Sequence, residues 1–200
     1  DEVIVITDSD EIFRHISDLG GETFISTINH DSGTDRVQEY AKTAGLEAQE
    51  VVINVQGDEP LIDIEAVNQL GDFMHANKYK YGTIAQHFSS NTDLLDPSKV
   101  KVVLNDDNSA IEFFRDAPIV VKDFSKVVLH HVGIYAYQVD FLHTFAGLCK
   151  TKNELNLKLE QMRALDNALP LHVLELNLDE SWGIDTEEDL IRLRKHLELN

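Results

Sequence analysis

Two short apolar runs constrain this chain more than any other feature. Val3-Ile4-Val5-Ile6 and Val51-Val52-Ile53-Asn54-Val55 show almost no apolar–polar alternation. A strand built from either must be covered on both faces, and helices supply that cover in a parallel sheet. A helical pattern follows each run. Asp8 or Ser9 can cap a helix reaching about Leu19, with Ile12, Phe13 and Ile16 at helical spacing. Gly20-Gly21 ends it, and Thr23 to Ile25 reads as the next strand. A polar loop, Asn29 to Arg36, opens a helix that closes near Gly45, and a helix over about Ile62 to His75 carries Ile64, Val67, Leu70 and Phe73. Strand and helix in strict alternation predict an α/β fold: a mostly parallel sheet with right-handed crossovers, flanked by helices.

Beyond Tyr81 the pattern changes. Lys99–Leu104, Ala110–Phe114 and Val127–Tyr137 are strand-like with short links, which predicts an antiparallel subdomain over about residues 99–150. The end returns to helix (about 153–168), strand (171–176) and helix (186–198). At 200 residues the chain reads as one domain.

Charge narrows the partners. There are 17 basic and 36 acidic residues, a net charge of −19. Such a surface repels phosphate backbones and anionic lipid, so no nucleic-acid or membrane partner is expected. An anionic small ligand needs a local cation cluster or a metal. Cys149 is the only cysteine, so no intrachain disulfide exists, and a reducing cytoplasm fits best. No apolar run approaches the ~18 residues of a membrane span, and no signal peptide is visible. The chain opens at Asp1, directly before a strand, as though an upstream part were absent.

Val55-Gln56-Gly57-Asp58-Glu59-Pro60 places a carboxylate in a tight turn at the carboxyl end of a strand. Ligands of open α/β sheets sit at that end, and Asp58 there suits a metal ion on a nucleotide triphosphate. An ordinary Gly-Asp turn accounts for the same letters. Ser32-Gly33-Thr34-Asp35-Arg36 opens a helix, where free N–H groups favour anions, although simple capping explains it equally well. Gly183-Ile184-Asp185-Thr186 repeats the carboxylate at a strand-to-helix junction, with helix capping again the plain alternative. Two separated carboxylates, completed by substrate phosphates and water, make a typical Mg²⁺ site. His131, Gly133, Tyr135 and Tyr137 share one face of a strand that suits a sugar or, alternatively, serves as an amphipathic edge. Leu155, Leu159 and Met162 form a core stripe at i, i+4 and i+7, with Glu154, Glu160, Gln161 and Arg163 elsewhere on that helix, where most charges are solvated. No zinc signature, G-x-S-x-G elbow, Walker A sequence or GxGxxG occurs.

In order, these motifs resemble the 3-deoxy-manno-octulosonate cytidylyltransferase (CMP-Kdo synthetase) family. The matching stretches are Val5-Ile6-Thr7-Asp8, Ser32–Arg36, Asn54–Leu61, Val100–Val103, His131–Tyr137, Leu159–Leu165 and Gly183–Leu190, spread over nearly the whole chain. The resemblance implies a glycosyltransferase-A-like nucleotidyltransferase, homodimeric and cytoplasmic, that joins CTP and Kdo into CMP-Kdo and pyrophosphate for lipopolysaccharide synthesis. It implies Mg²⁺ held by Asp58 and Asp185, which would be the catalytic pair. It puts Ser32, Gly33, Thr34, Arg36 and Gln56 on the nucleotide side. It puts Gln56, Arg115, His131, Tyr135, Glu154, Glu160 and Gln161 around the sugar, with Arg115 as the fork for the sugar-acid carboxylate.

The chain also departs from the family pattern. The family's opening strand and its P-A-R-x-x-S-x-R-x-x-x-K-P loop have no counterpart here, which predicts a gap in the parallel sheet and weak triphosphate binding. The family's F-S-R-x-x-I-P-Y reads Phe113-Phe114-Arg115-Asp116-Ala117-Pro118-Ile119-Val120, and a family Glu is Leu157. These changes fall on the sugar side, so a Kdo-like acid is expected as readily as Kdo. Two other readings are a non-catalytic homologue that binds nucleotide or sugar, and a nucleotide-sugar glycosyltransferase. Only Asp8-Ser9-Asp10 has the letters of the latter's D-x-D motif, and it reads better as a helix cap.

Overall fold

In the first third of the chain, local signals set the element ends. β1 (Ile4–Thr7), α1 (Asp10–Asp18), β2 (Glu22–Ile25), α2 (Gly33–Ala44), β3 (Val51–Asn54) and α3 (Ile64–Asn77) follow one another. Ser9 caps α1 by accepting the Ile12 N–H at 3.4 Å. Asp63 caps α3 through the Glu65 and Ala66 amides at 2.9 and 3.4 Å, which moves that helix two residues past the predicted start. Gly45 ends α2 in the left-handed region at φ 69°, where it carries no Cβ penalty. The computed structural model describes residues 2–88, 90–116, 128–178, 183–184 and 186–198.

The remaining elements are β4 (Tyr81–Gln86), α4 (Asn91–Leu95), β5 (Lys101–Leu104), β6 (Ala110–Phe114), β7 (Val128–Gln138), α5 (Val139–Ala146), α6 (Lys152–Leu157), α7 (Met162–Asp166), β8 (His172–Glu175) and α8 (Glu187–Glu198). The sequence reading did not distinguish β4, α4 or α5. The helix expected over 153–168 is two helices, α6 and α7. They part at Lys158, whose φ of 53° no continuing α-helix can accommodate.

The sheet is mixed. β1 and β2 pair in parallel as a two-stranded sheet of their own. The six-stranded sheet runs β6-β5-β7-β4-β8, with β3 also paired to β7. β4 and β8 are parallel, while β3, β4 and β5 each run antiparallel to β7, as do β5 and β6 to each other. β7 is therefore an interior strand, not the amphipathic edge its alternation also allowed. Opposite β4 its register jumps between Thr83↔Tyr135 and Ile84↔Val132, a bulge that takes in Gly133.

Alternation along β7 feeds two cores. Val132, Ile134 and Ala136 face Ala66, Leu70 and Met74 of α3, with Ile84 beside them. Tyr135 and Tyr137 face the other way, into an aromatic stack with Tyr81, Phe141 and Phe145. Tyr81 lies 4.8 Å from Tyr137 and 5.1 Å from Phe141, ring centre to ring centre. Burying a side chain such as Phe145 fully contributes roughly 1.5–3 kcal/mol, and offset stacking adds to that. Among the described residues no helix is long and apolar enough to cross a membrane.

Candidate active site

A cavity of about 470 Å³ opens where the start of α2 meets the α6–α7 turn. Ser32 is extended and caps α2, its Oγ accepting the Asp35 N–H at 3.2 Å. A Cβ added to Gly33 would meet nothing within 4 Å, so backbone is exposed to the cavity there. Thr34 is buried and donates from Oγ1 to Glu160 Oε2 at 2.5 Å, which ties the first turn of α2 to the opposite wall. Ser32, Gly33, Thr34 and Gln56 line one side of this space.

The opposite wall is built around a buried ion pair. Arg163 is only 2% exposed, and its Nε and Nη2 donate to both oxygens of Glu154 at 3.0 and 2.5 Å. Its Nη2 also reaches Glu160 Oε1 at 3.5 Å, and its guanidinium sits 4.7 Å over the Phe145 ring. Glu154 completes a capping box with Thr151 at the start of α6. The Glu154 bond is the chief reason Arg163 is held even more firmly protonated than usual. Tyr135 donates from its hydroxyl to Gln161 Oε1 at 3.0 Å, and burial raises the Tyr135 pKa well above its ordinary value. That phenol remains a donor throughout the physiological range. Gln161 is buried, and its Nε2 has no hydrogen-bond partner among the described residues.

Asp58 is exposed in the turn that follows β3, two residues beyond Gln56. Ile184 donates its backbone N–H to the Asp58 carbonyl at 2.9 Å, and a Cβ on Gly183 would lie 3.3 Å from Glu59 Oε1. The chain just before Asp185 is thereby pinned to the Asp58 turn. Asp185 itself lies outside the described residues. An exposed carboxylate beside this junction is the oxygen donor a hard cation needs. Among the described residues no three His, Cys, Asp or Glu side chains gather into a metal group. A site made by two carboxylates and completed by ligand oxygens does not need one.

Besides Asp58 and Gln161, three more of the expected residues do not line the cavity. Arg36 Nη2 donates to Asp8 Oδ2 at 2.6 Å, so its charge is committed to the loop after β1. Arg115, expected as a carboxylate fork, instead donates to backbone carbonyls: Leu157 at 3.0 Å, and Pro97 and Lys158 at 3.4 Å. It satisfies carbonyls at the carboxyl end of α6, where the helix breaks. Buried Lys101 holds the Arg115 carbonyl from below at 2.6 Å. His131 is buried beneath Tyr135 and against the Phe113 ring. Burial lowers its pKa to about 3, so it is neutral. The Thr83 hydroxyl donates to the Ile134 carbonyl at 2.7 Å, which leaves its oxygen to accept from His131 Nε2 at 2.9 Å. His131 thus orders the strands behind the cavity.

Sequence reasoning missed Asp31, Lys150, Lys158 and the buried role of Arg163. Lys150 reaches Asp31 from 119 positions away, and Arg163 meets Glu154 at a spacing of nine, which no helical pattern marks. Leu155, assigned to a core stripe, is instead exposed at the cavity, whereas Leu159 and Met162, beyond the break at Lys158, are buried.

Comparison with known proteins places the chain in a family. A family model described as cytidylyltransferase matches residues 1–173. The 3-deoxy-manno-octulosonate cytidylyltransferase of Saccharophagus degradans is 36% identical over 98% of this chain and 82% of its own length. The protein of the same name from Thermodesulfovibrio yellowstonii is 38% identical over 95% of this chain and 79% of its own. The solved structure of a CMP:2-keto-3-deoxy-manno-octonic acid synthetase complexed with CTP superposes with a TM-score of 0.89 at 31% identity, covering all of this chain and 81% of that one. The α/β architecture is that of a nucleotidyltransferase, and the chain belongs to the cytidylyltransferase family.

Proposed function

We propose that this single-domain cytidylyltransferase joins CTP to Kdo, or to a Kdo-like sugar acid, releasing pyrophosphate and supplying a CMP-sugar for lipopolysaccharide synthesis. One observation carries the reading. Ser32, Gly33, Thr34, Gln56, Tyr135, Glu154 and Glu160, which the resemblance divides between nucleotide and sugar, line a single cavity. The names of the relatives and the CTP bound to the solved one support the two substrates.

Ser32 to Thr34 offer the open start of α2 to the nucleotide, with Arg36 behind them. Gln56 stands between the two substrates. Tyr135, Glu160 and Gln161 position the sugar hydroxyls, and Glu154 holds that wall through Arg163. His131 and Arg115 support the same wall from behind. Asp58 and Asp185 would hold Mg²⁺, which would supply positive charge to neutralise the triphosphate. Transfer to phosphorus depends on positioning and charge neutralisation, so no protein nucleophile is required. The chain is read as a cytoplasmic homodimer.

The test is pyrophosphate release from CTP with Mg²⁺ and a panel of sugar acids, comparing wild type with Asp58→Asn. Turnover with Kdo or a close analogue is expected. Asp58→Asn should lose at least about a hundredfold in kcat with an unchanged circular-dichroism spectrum. Its side chain is exposed, and the bond to Ile184 uses only the backbone. A fully active Asp58→Asn would overturn the assignment.

A further inference from the structure

The cavity carries three acidic side chains, Asp31, Glu154 and Glu160, and three basic ones, Lys150, Lys158 and Arg163. Their availability differs sharply. Arg163 is buried and already shared between Glu154 and Glu160. Arg115, outside the cavity, is spent on three backbone carbonyls. That leaves the two lysines. Lys158 sits at the left-handed break between α6 and α7, exposed, and its ammonium has no hydrogen-bond or ion-pair partner among the described residues. Lys150 reaches across the rim to Asp31 at 2.9 Å, both side chains still partly in water. This pair spans the two walls, since Asp31 directly precedes the α2 cap and Lys150 directly precedes Thr151, the α6 cap.

We propose that Lys150 and Lys158 receive the carboxylate of the sugar acid, and that Asp31 holds Lys150 until the ligand displaces it. The proposal rests on the sugar-acid reading above. A ligand carboxylate brings the same charge and geometry as Asp31, so it competes for one ammonium on equal chemical terms. A partly exposed ion pair of this kind is weak, so the exchange costs little. On a chain with a net charge of −19, an acidic ligand is repelled wherever a cation does not meet it, and these two lysines are the cavity's cations not locked in a buried ion pair. The mutual effect of the pair agrees: Lys150 lowers the Asp31 pKa, and Asp31 raises that of Lys150.

Two variants separate this role from a structural latch. A latch fails in the same way whichever partner is removed. Here the signs are opposite. With pyrophosphate release as the readout, Lys150→Met should raise KM for Kdo about tenfold, the loss of one charge-assisted bond, with KM for CTP within twofold. Asp31→Asn should lower KM for Kdo several-fold, because the competitor is gone. Lys158→Met should raise it, and Lys150→Arg, which keeps the charge, should stay near wild type. Wild-type turnover of Kdo with Lys150→Met unchanged, or with Lys150→Met and Asp31→Asn shifting KM in the same direction, overturns the proposal alone. Wild type that neither turns over Kdo nor binds it in calorimetry overturns the sugar-acid reading as well.

Discussion

Arg163→Met tests the interior of the cavity wall. In the wild type the Arg163 guanidinium meets both oxygens of Glu154, whose side chain is only 8% exposed. Met keeps an apolar stem against Phe145 and fills most of the volume. What it removes is the only cation ion-paired with Glu154 among the described residues, leaving the Thr151 N–H at 3.2 Å as the donor still in place. Breaking a buried pair from one side costs roughly 3–5 kcal/mol, because the remaining charge is stranded. For a domain of this size that corresponds to a fall in Tm of roughly 6–20 °C. A solvated surface pair would cost about 0–1 kcal/mol, so the magnitude itself discriminates. The double variant Glu154→Gln/Arg163→Met sharpens the test. The Gln carbonyl still accepts the Thr151 N–H, so the capping box survives while the stranded charge disappears. It should recover about 2 kcal/mol relative to Arg163→Met alone, measured by urea unfolding with m unchanged. A single variant costing under about 1 kcal/mol, or a double variant no more stable than the single one, would refute the reasoning.

Two further outcomes follow from side chains beside the cavity. Arg115→Ala frees the carbonyls at the end of α6 and should cost roughly 1–3 kcal/mol of stability; a raised KM for the sugar acid with an unchanged Tm would instead show that Arg115 meets the ligand. Burial lowers the pKa of His131 to about 3 and of His130 to about 4. The unfolded chain protonates first, near pH 6.5, so stability falls as the pH drops from 6.5 toward 3. His131→Leu should flatten that slope by up to about 1.4 kcal/mol per pH unit near pH 5, and identical slopes in urea titrations would contradict the burial.

The parts of this fold that were legible in sequence are those where a short stretch decides its own fate. β1, β3 and α1 to α3 follow from apolar runs, caps and Gly45. β4 was invisible because Tyr81 to Ala85 are buried without alternation, and Gly82 and Thr83 interrupt the apolar letters. α5 lacks a side-chain cap, so nothing announces its start. The single helix expected over 153–168 kept its stripe of Leu155, Leu159 and Met162 on paper. The break at Lys158 depends on a backbone conformation that lysine does not signal. The site follows the same division. Ser32, Gly33 and Thr34 were readable from a local turn, whereas the fate of Arg115 depended on carbonyls 18 to 43 positions away.

The central place of β7 has a consequence for the nascent chain. β3 and β4 both pair with β7, and the β3 partner Val51 waits for Gln138, about ninety residues later. At synthesis rates of about 5–20 residues per second, that interval lasts roughly 4–18 s, before any time in the exit tunnel. Through it the apolar edges of β3 and β4 lack the strand that joins them, while local helices such as α3 form within microseconds. Order of synthesis therefore makes this sheet a late event, closed when a strand from the second half of the chain arrives between two from the first.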